Sequence, residues 1–395
     1  MKAWALATLG LSVLLLGAAP PETESPSRIA ALIEQLGADS FSRREAASKA
    51  LADIGVPAVR FLRKAAVSSN NPEIRSRAER VLQTIGARVP GLVQKGEEIY
   101  RIAWGGIHSY NTTFSADGRY FLAGGDGSTL RLYEVKSGKL LHELTGHTHW
   151  AQHAVFLPDG KQALSASMDG TLRLWNLTTG KEVRKLDGHA TGACSVDVSR
   201  DGKWAVSAGA DKTLRLWDVA KGKEVRTFKG HTDVCMALFT PDGKQILSSS
   251  YDRTMRLWDV VSGKEVRKFE GHTATVHGAF ALPDGKRALS YSADATARVW
   301  NLATGKEEKR LDLGANLADI RGVALSPDGK HLLVGTNGPY MVRLLELDSG
   351  KEVHRFSCQT SPRGLSFSRD GRLAAGGSWR GFVYLWRIPG IFDGK

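Results

Sequence analysis

The chain has 395 residues, 42% of them hydrophobic and 24% charged, with 43 glycines against 13 prolines and a formal net charge of +13. That composition excludes a disordered, collagen-like or polytopic membrane protein, and three cysteines exclude a disulfide framework. The basic excess is diffuse rather than gathered in a tail, so nucleic acid is not the expected partner.

Lys2, the apolar run from Ala3 to Leu16 and the small residues Gly17-Ala18-Ala19 make residues 1–19 a secretory signal in pattern. The run is shorter than the ~20 apolar residues of a membrane span. The expectation is an exported protein, periplasmic or secreted. The alternative is an uncleaved N-terminal anchor, the only membrane contact the sequence suggests. Pro20-Pro21 leaves the cleavage site undefined.

Residues 20–88 read as short amphipathic helices. Ile29, Leu32, Ile33 and Leu36 fall on one helical face. Ser42-Arg43-Arg44-Glu45 has the pattern of a capping box, Gly55 ends the helix it opens, and Pro57 suits a first turn. Asn71-Pro72 starts a further helix striped by Ile74, Ala78, Val81, Leu82 and Ile85. These hairpins resemble HEAT-type repeats, although about two fit where an independent solenoid needs three. Both a small packed bundle and a separate binding module satisfy the pattern. Residues 89–96 read as a linker, 97–390 as the main domain and 391–395 as a tail.

From residue 97 the chain repeats every 41 to 44 residues. Asp-Gly recurs at Asp117, Asp159, Asp201, Asp242, Asp284, Asp328 and Asp370, each followed by Lys or Arg and flanked by β-branched and aromatic runs. That is a hairpin signal. Tyr133, Trp175, Trp217, Trp258, Trp300 and Trp386 each stand sixteen residues after such an Asp, and Leu345 stands one residue later in the sixth repeat. Gly-Lys turns follow in the first six repeats. Four strands per unit and seven units predict a mainly β radial array.

Gly146-His147, Gly188-His189, Gly230-His231 and Gly271-His272 precede Trp175, Trp217, Trp258 and Trp300 by 27 or 28 residues from His to Trp. Trp217-Asp218 and Trp258-Asp259 complete the dipeptide, and Trp175-Asn176 and Trp300-Asn301 are near variants. Residues 97–388 thus resemble the WD40 repeat family, which implies a seven-bladed β-propeller preceded by a short helical, HEAT-like region.

The resemblance also implies that Asp orients His, His bonds a Ser hydroxyl, and Ser meets the indole N–H. The four sets are His147, Ser165, Asp169, Trp175; His189, Ser207, Asp211, Trp217; His231, Ser248, Asp252, Trp258; and His272, Ser290, Asp294, Trp300. One such set on a strained elbow would suggest a hydrolase. Four copies without a G-x-S-x-G motif point to structure, so no enzyme, cofactor or metal is expected. Gly105, Asn316 and Cys358 hold the His position in blades one, six and seven. Those blades should rely on apolar packing. The segment from Glu97 to Ile102 aligns with outermost strands, and the chain stops after the third strand of blade seven, so it should close that blade.

In this family the position seven residues before each turn Asp faces the channel mouth: Tyr110, Gln152, Cys194, Cys235, His277, Arg321 and Arg363. Two residues earlier stand His108, Trp150, Gly192, Asp233, Thr275, Asp319 and Ser361. Met168, Ala210, Tyr251, Ala293 and Trp379 border the row. Aromatic and guanidinium groups dominate binding energies, which marks His108, Tyr110, Trp150, Gln152, Tyr251, His277, Arg321, Arg363 and Trp379 as a protein or peptide site. Cys194, Cys235 and His277 are too dispersed for zinc or a disulfide. The opposite face carries Arg119, Lys161, Lys203, Lys244, Lys286, Lys330 and Arg372, each beside its turn Asp. That ring supports solubility, or alternatively an anionic polymer or glycan. The sequence predicts a non-catalytic scaffold whose partner and oligomeric state it does not name.

Overall fold

The structure, a computed structural model, describes residues 26–54, 58, 61–62, 65–66, 69–88, 98–103, 109–125, 127–234, 236–314, 320, 322–337, 340–379 and 381–388. The chain divides into two compact units, Met1–Leu92 and Val93–Lys395. Among the described residues no helix is long and apolar enough to cross a membrane.

In the first unit, helices Pro26–Gln35, Phe41–Ile54 and Pro72–Arg88 gather Ile29, Ile33, Leu36, Leu51, Leu62 and Ile74 into a core. Asn71 caps the last helix: its Oδ1 accepts from the Glu73 amide at 2.9 Å, and Pro72 follows where no amide is needed. The capping box does not form. The second helix starts at Phe41, ahead of Ser42, and the Ser40 carbonyl accepts from Arg44 N at 3.2 Å. Glu45 serves another need. Arg77 is 6% exposed, and Glu45 and Glu73 each accept from its guanidinium at 2.6 Å. A buried cation requires that pairing more than a helix end requires a second acceptor. Gly55 and Pro57 lie outside the described residues.

The second unit is a ring of seven four-stranded antiparallel sheets. Six are consecutive in sequence, over 109–144, 151–187, 193–229, 236–269, 276–312 and 322–357. The seventh takes Pro362–Phe367, Leu373–Ser378 and Phe382–Arg387 from the end of the chain and Glu98–Ala103 from the start of the unit. Arg101 pairs with Tyr384 and Ala103 with Phe382, so this first strand closes the ring. In four blades the third strand places its tryptophan opposite alanine, as Trp217 against Ala205 and Trp386 against Ala374, whereas Trp258 faces Ile246, Tyr133 faces Phe121 and Leu345 of blade six faces Leu332. The cores lie between blades, as where Leu157, Leu174 and Leu186 of blade two pack with Val196, Trp217 and Val219 of blade three.

Identical turns join the first and second strands. In all seven the turn Asp accepts the amide two residues on, at 2.8–3.1 Å, and its Gly has φ between 66° and 73°. That left-handed backbone explains the glycine. First strands are sheet edges whose amides need partners. The preceding blade supplies some of them: Asn111 Oδ1 accepts from Ala154 N at 3.2 Å, Ser195 Oγ from Ala237 N at 3.1 Å, and Asp197 Oδ2 from Phe239 N at 2.8 Å. At the rim, basic side chains of fourth strands donate to the next blade's turn carbonyls. Arg226 reaches Ser262 O at 3.0 Å, Arg267 reaches Ala303 O at 2.7 Å, and Arg184 and Lys309 reach Ala220 O and Asp348 O. Tyr100 Oη makes the corresponding bond across the closure, to Val135 O at 2.7 Å.

Candidate functional site

Four blades carry a polar relay with one internal geometry. In blade two, Trp175 Nε1 donates to Ser165 Oγ at 2.8 Å, Oγ lies 2.7 Å from His147 Nε2, and His147 Nδ1 lies 2.8 Å from Asp169. Blade three repeats it through Trp217, Ser207, His189 and Asp211 at 2.8, 2.7 and 3.0 Å. Blades four and five repeat it through Trp258, Ser248, His231, Asp252 and through Trp300, Ser290, His272, Asp294. A neutral imidazole with its proton on Nδ1 satisfies every member, since Oγ accepts from the indole and donates to Nε2.

Burial pushes the four histidines below their ordinary pKa against the pull of the aspartates, which keeps them neutral. Burial also raises the aspartates, but hydrogen bonds outweigh it. Thr171, the Thr148 amide and His147 hold Asp169 well below the carboxylate range, and Thr254 and His231 hold Asp252 at about 2. All four serines are completely buried. A nucleophile must reach its substrate, and these hydroxyls do not reach the surface.

The relay histidine sits on the segment entering a first strand and the relay aspartate on the turn after a second strand, so the two loops are joined. Backbone bonds join them again: Met168, Ala210, Ala293 and Trp379 amides donate to Trp150, Gly192, Thr275 and Ser361 carbonyls at 2.8–3.0 Å. These positions therefore form one face.

On that face four first strands skip a residue. Register breaks between Ser109 and Asn111, Ala151 and His153, Ala193 and Ser195, and Val276 and Gly278 fall at Tyr110, Gln152, Cys194 and His277. A bulge re-aims its side chain out of the sheet alternation. The residue pattern gives no notice of it, because no Gly or Pro marks Gln152 or Cys194.

Trp150, Tyr251 and Trp379 are exposed at 41%, 54% and 43%. Tyr251 stands edge-on to His277, with ring centroids 6.5 Å apart, and His149 supports Trp150 at 5.1 Å. Arg363 differs from its expected role. It is 8% exposed and lies 4.3 Å from the Trp379 ring centroid, so it backs the indole instead of meeting solvent. Tyr340, 47% exposed at the start of a third strand of blade six, is an aromatic the sequence reading passed over, because that blade breaks the repeat spacing. His108, Cys235 and Arg321 lie outside the described residues, as does the Tyr110 side chain. Cys194 is partly buried, and burial raises its thiol to about 11. No group of three His, Cys, Asp or Glu residues is gathered for a metal among the described residues.

The family model described as WD domain, G-beta repeat matches residues 138–176, 180–218, 222–259, 263–301 and 350–387. No curated protein matches the chain.

Proposed function

The chain belongs to the WD40-repeat family, whose propellers are typically non-catalytic interaction scaffolds, and from that premise we propose that it binds a protein or peptide on its channel-mouth face. One observation carries this reading: bulged first-strand residues lie on the face that carries three exposed aromatics, Trp150 and Tyr251 on blades held by buried relays and Trp379 backed by Arg363. Large apolar rings on a rigid frame lose little entropy on binding and supply most interface energy. The apolar run over residues 1–19 supports export, and the buried relay serines support a role without catalysis.

The partner would be captured from the envelope fraction with the full chain and then titrated against variants at two salt concentrations. Trp150→Ala and Tyr251→Ala should each weaken binding by about ten-fold or more with unchanged melting temperature. Reversing Lys244, Lys286 and Lys330 to Glu on the opposite face should leave affinity nearly constant. Loss of binding from the lysine reversals alone, with a steep salt dependence, would instead assign an anionic polymer or glycan.

A further inference from the structure

Six of the seven turn aspartates bind a side chain in addition to backbone amides. Ser115, Ser199, Thr240, Ser326 and Ser368 donate hydroxyls to theirs at 2.5–2.7 Å. Blade five has Leu282 at the hydroxyl position, and there Arg287 Nε donates to Asp284 at 2.7 Å. Asp159 of blade two has neither. Leu157 replaces the hydroxyl residue and Gln162 replaces the arginine. Its Oδ1 accepts from the Lys161 and Gln162 amides at 2.9 and 3.2 Å, and no side chain among the described residues bonds or pairs with it.

The leucine that removes this donor also floors a cleft. Between blades two and three lies a cavity of about 370 Å³ whose lining includes Leu157, Leu174, Val183, Val219, Asp159 and Asp201. Val183 is 48% exposed along it, whereas the other three apolar groups are buried beneath. The lining holds two carboxylates and one guanidinium, with Lys161 and Lys203 following the two aspartates in sequence outside the lining. That guanidinium, Arg184, is committed to the Ala220 carbonyl. Lys203 Nζ stands 3.8 Å from Asp201 Oδ2 as an exposed pair, which a ligand cation displaces at little cost. The corresponding positions between blades five and six place Glu308 and Asp348 where this cleft has Val183 and Ala220. An apolar floor beside an under-bonded carboxylate is therefore particular to one side of the ring.

We propose that this cleft is a second binding site, apart from the channel mouth, for a basic peptide segment. An apolar side chain rests on Leu157, Leu174 and Val219, and an adjacent lysine or arginine meets Asp159 and Asp201. Burial of the apolar group drives insertion, and the charge-assisted bond to the open Asp159 oxygen selects the basic neighbour. An acidic segment meets the same carboxylates and is excluded.

The test uses the full-length chain and fluorescently labelled peptides Gly-Lys-Phe-Lys-Gly and Gly-Glu-Phe-Glu-Gly, read by anisotropy. The lysine peptide should bind saturably and at least about ten-fold more tightly than the glutamate peptide. Ala220→Trp, which fills the cleft from an exposed position, should abolish binding. Asp159→Asn keeps the amide acceptor but removes the charge, and should weaken binding by about five-fold. Trp150→Ala should change nothing, which separates this site from the mouth. Absent saturation, equal affinity for both peptides, binding that survives both cleft variants, or loss of binding in Trp150→Ala would each overturn the proposal.

Discussion

The four relays and blade seven, which keeps the tryptophan without a relay, differ most sharply at a single atom. Trp217 Nε1 has Ser207 as acceptor at 2.8 Å, whereas Trp386 Nε1 is buried with no partner among the described residues. Blade seven has Gly376 where the relay serine stands, and an added Cβ there would lie 3.0 Å from the Trp386 ring. The indole stacks on Tyr384 instead, 5.3 Å between centroids at an interplanar angle of 5°. An orphaned buried N–H costs about 1–3 kcal/mol, and the same amount returns when it is removed. Trp217→Phe should therefore destabilise by roughly 2–3 kcal/mol, through lost volume and a lost acceptor bond. Trp386→Phe should cost at least about 1 kcal/mol less, read from urea midpoints at equal slope. Equal costs would mean that the Trp386 N–H has found an acceptor.

A second residue-scale prediction concerns pH. Burial raises the Asp197 carboxyl to about 6, against the Phe239 and Val198 amides that favour its charge. Its native pKa thus exceeds its unfolded one, so the folded state takes up a proton first and gains stability as the pH falls from about 6 toward 4. Asp197→Asn keeps an oxygen for the Phe239 amide and removes the desolvated charge. It should stabilise at pH 7 by on the order of 2 kcal/mol, an advantage that shrinks below pH 6 and is gone near pH 4. The relay histidines act oppositely: their native pKa values are lowered, so stability falls as the pH drops below the ordinary histidine value of 6.5. A parallel pair of stability curves for the variant and the parent would contradict the assignment to Asp197.

At the scale of the element, one hairpin position recurs in four conformationally similar versions. After the relay Asp, Gly170, Lys212, Arg253 and Ala295 adopt φ of 84°, 69°, 70° and 63°. Only the first is the residue such a backbone favours. Ala295→Gly should raise stability by about 0.5 kcal/mol, the left-handed strain relieved less the added freedom of the unfolded chain. Gly170→Ala should lower it by more, because its Cβ would stand 2.8 Å from the His189 carbonyl oxygen. Paired thermal melts decide both.

The turns and the aromatic register were legible because they are written in residue identity at fixed spacing: Asp201-Gly202 and Trp217 have no cheaper substitutes for a left-handed turn and a large inter-blade side chain. The bulges at Gln152 and Cys194 were not, since a skipped ladder bond needs no special residue. Nor were the rim bonds of Arg226 and Arg267, which look like ordinary surface charge until the next blade's carbonyl is beside them. Ser42-Arg43-Arg44-Glu45 misled for a related reason. Its glutamate answers a buried arginine 32 residues away, which local spacing does not register. The repeat spacing allows equivalent positions to be counted but not their exposure, since Arg363 lies buried against Trp379.

One short strand, joined to the first unit by sequence, closes the ring. Glu98–Ala103 pairs with Phe382–Arg387 with a break in register between Glu98 and Tyr100. It contributes Ile99, Tyr100 and Ile102 to the cluster with Phe114, Phe121 and Leu385, and sets Arg101 over the Phe382 ring at 5.0 Å. Blades six, seven and one, which flank this closure, are the three without the His–Ser–Trp relay, and apolar clusters around Tyr384 and around Phe121 hold them instead. Apolar packing gives cohesion without the directional bonds that fix a relay, so the seam should be the first part of the ring to open. Deleting residues 97–103 would leave Phe382–Arg387 as an uncovered apolar edge, and the ring should lose cooperativity or associate. Deleting residues 20–88 should leave the propeller melting as one transition. Hydrogen exchange on the intact chain supplies the finer measurement: amides of Phe382–Arg387 should exchange well before those of Thr213–Asp218, whose blade carries a relay. Equal protection of the two strands, together with a parent-like melt for the 97–103 deletion, would show that the ring does not depend on its closing strand.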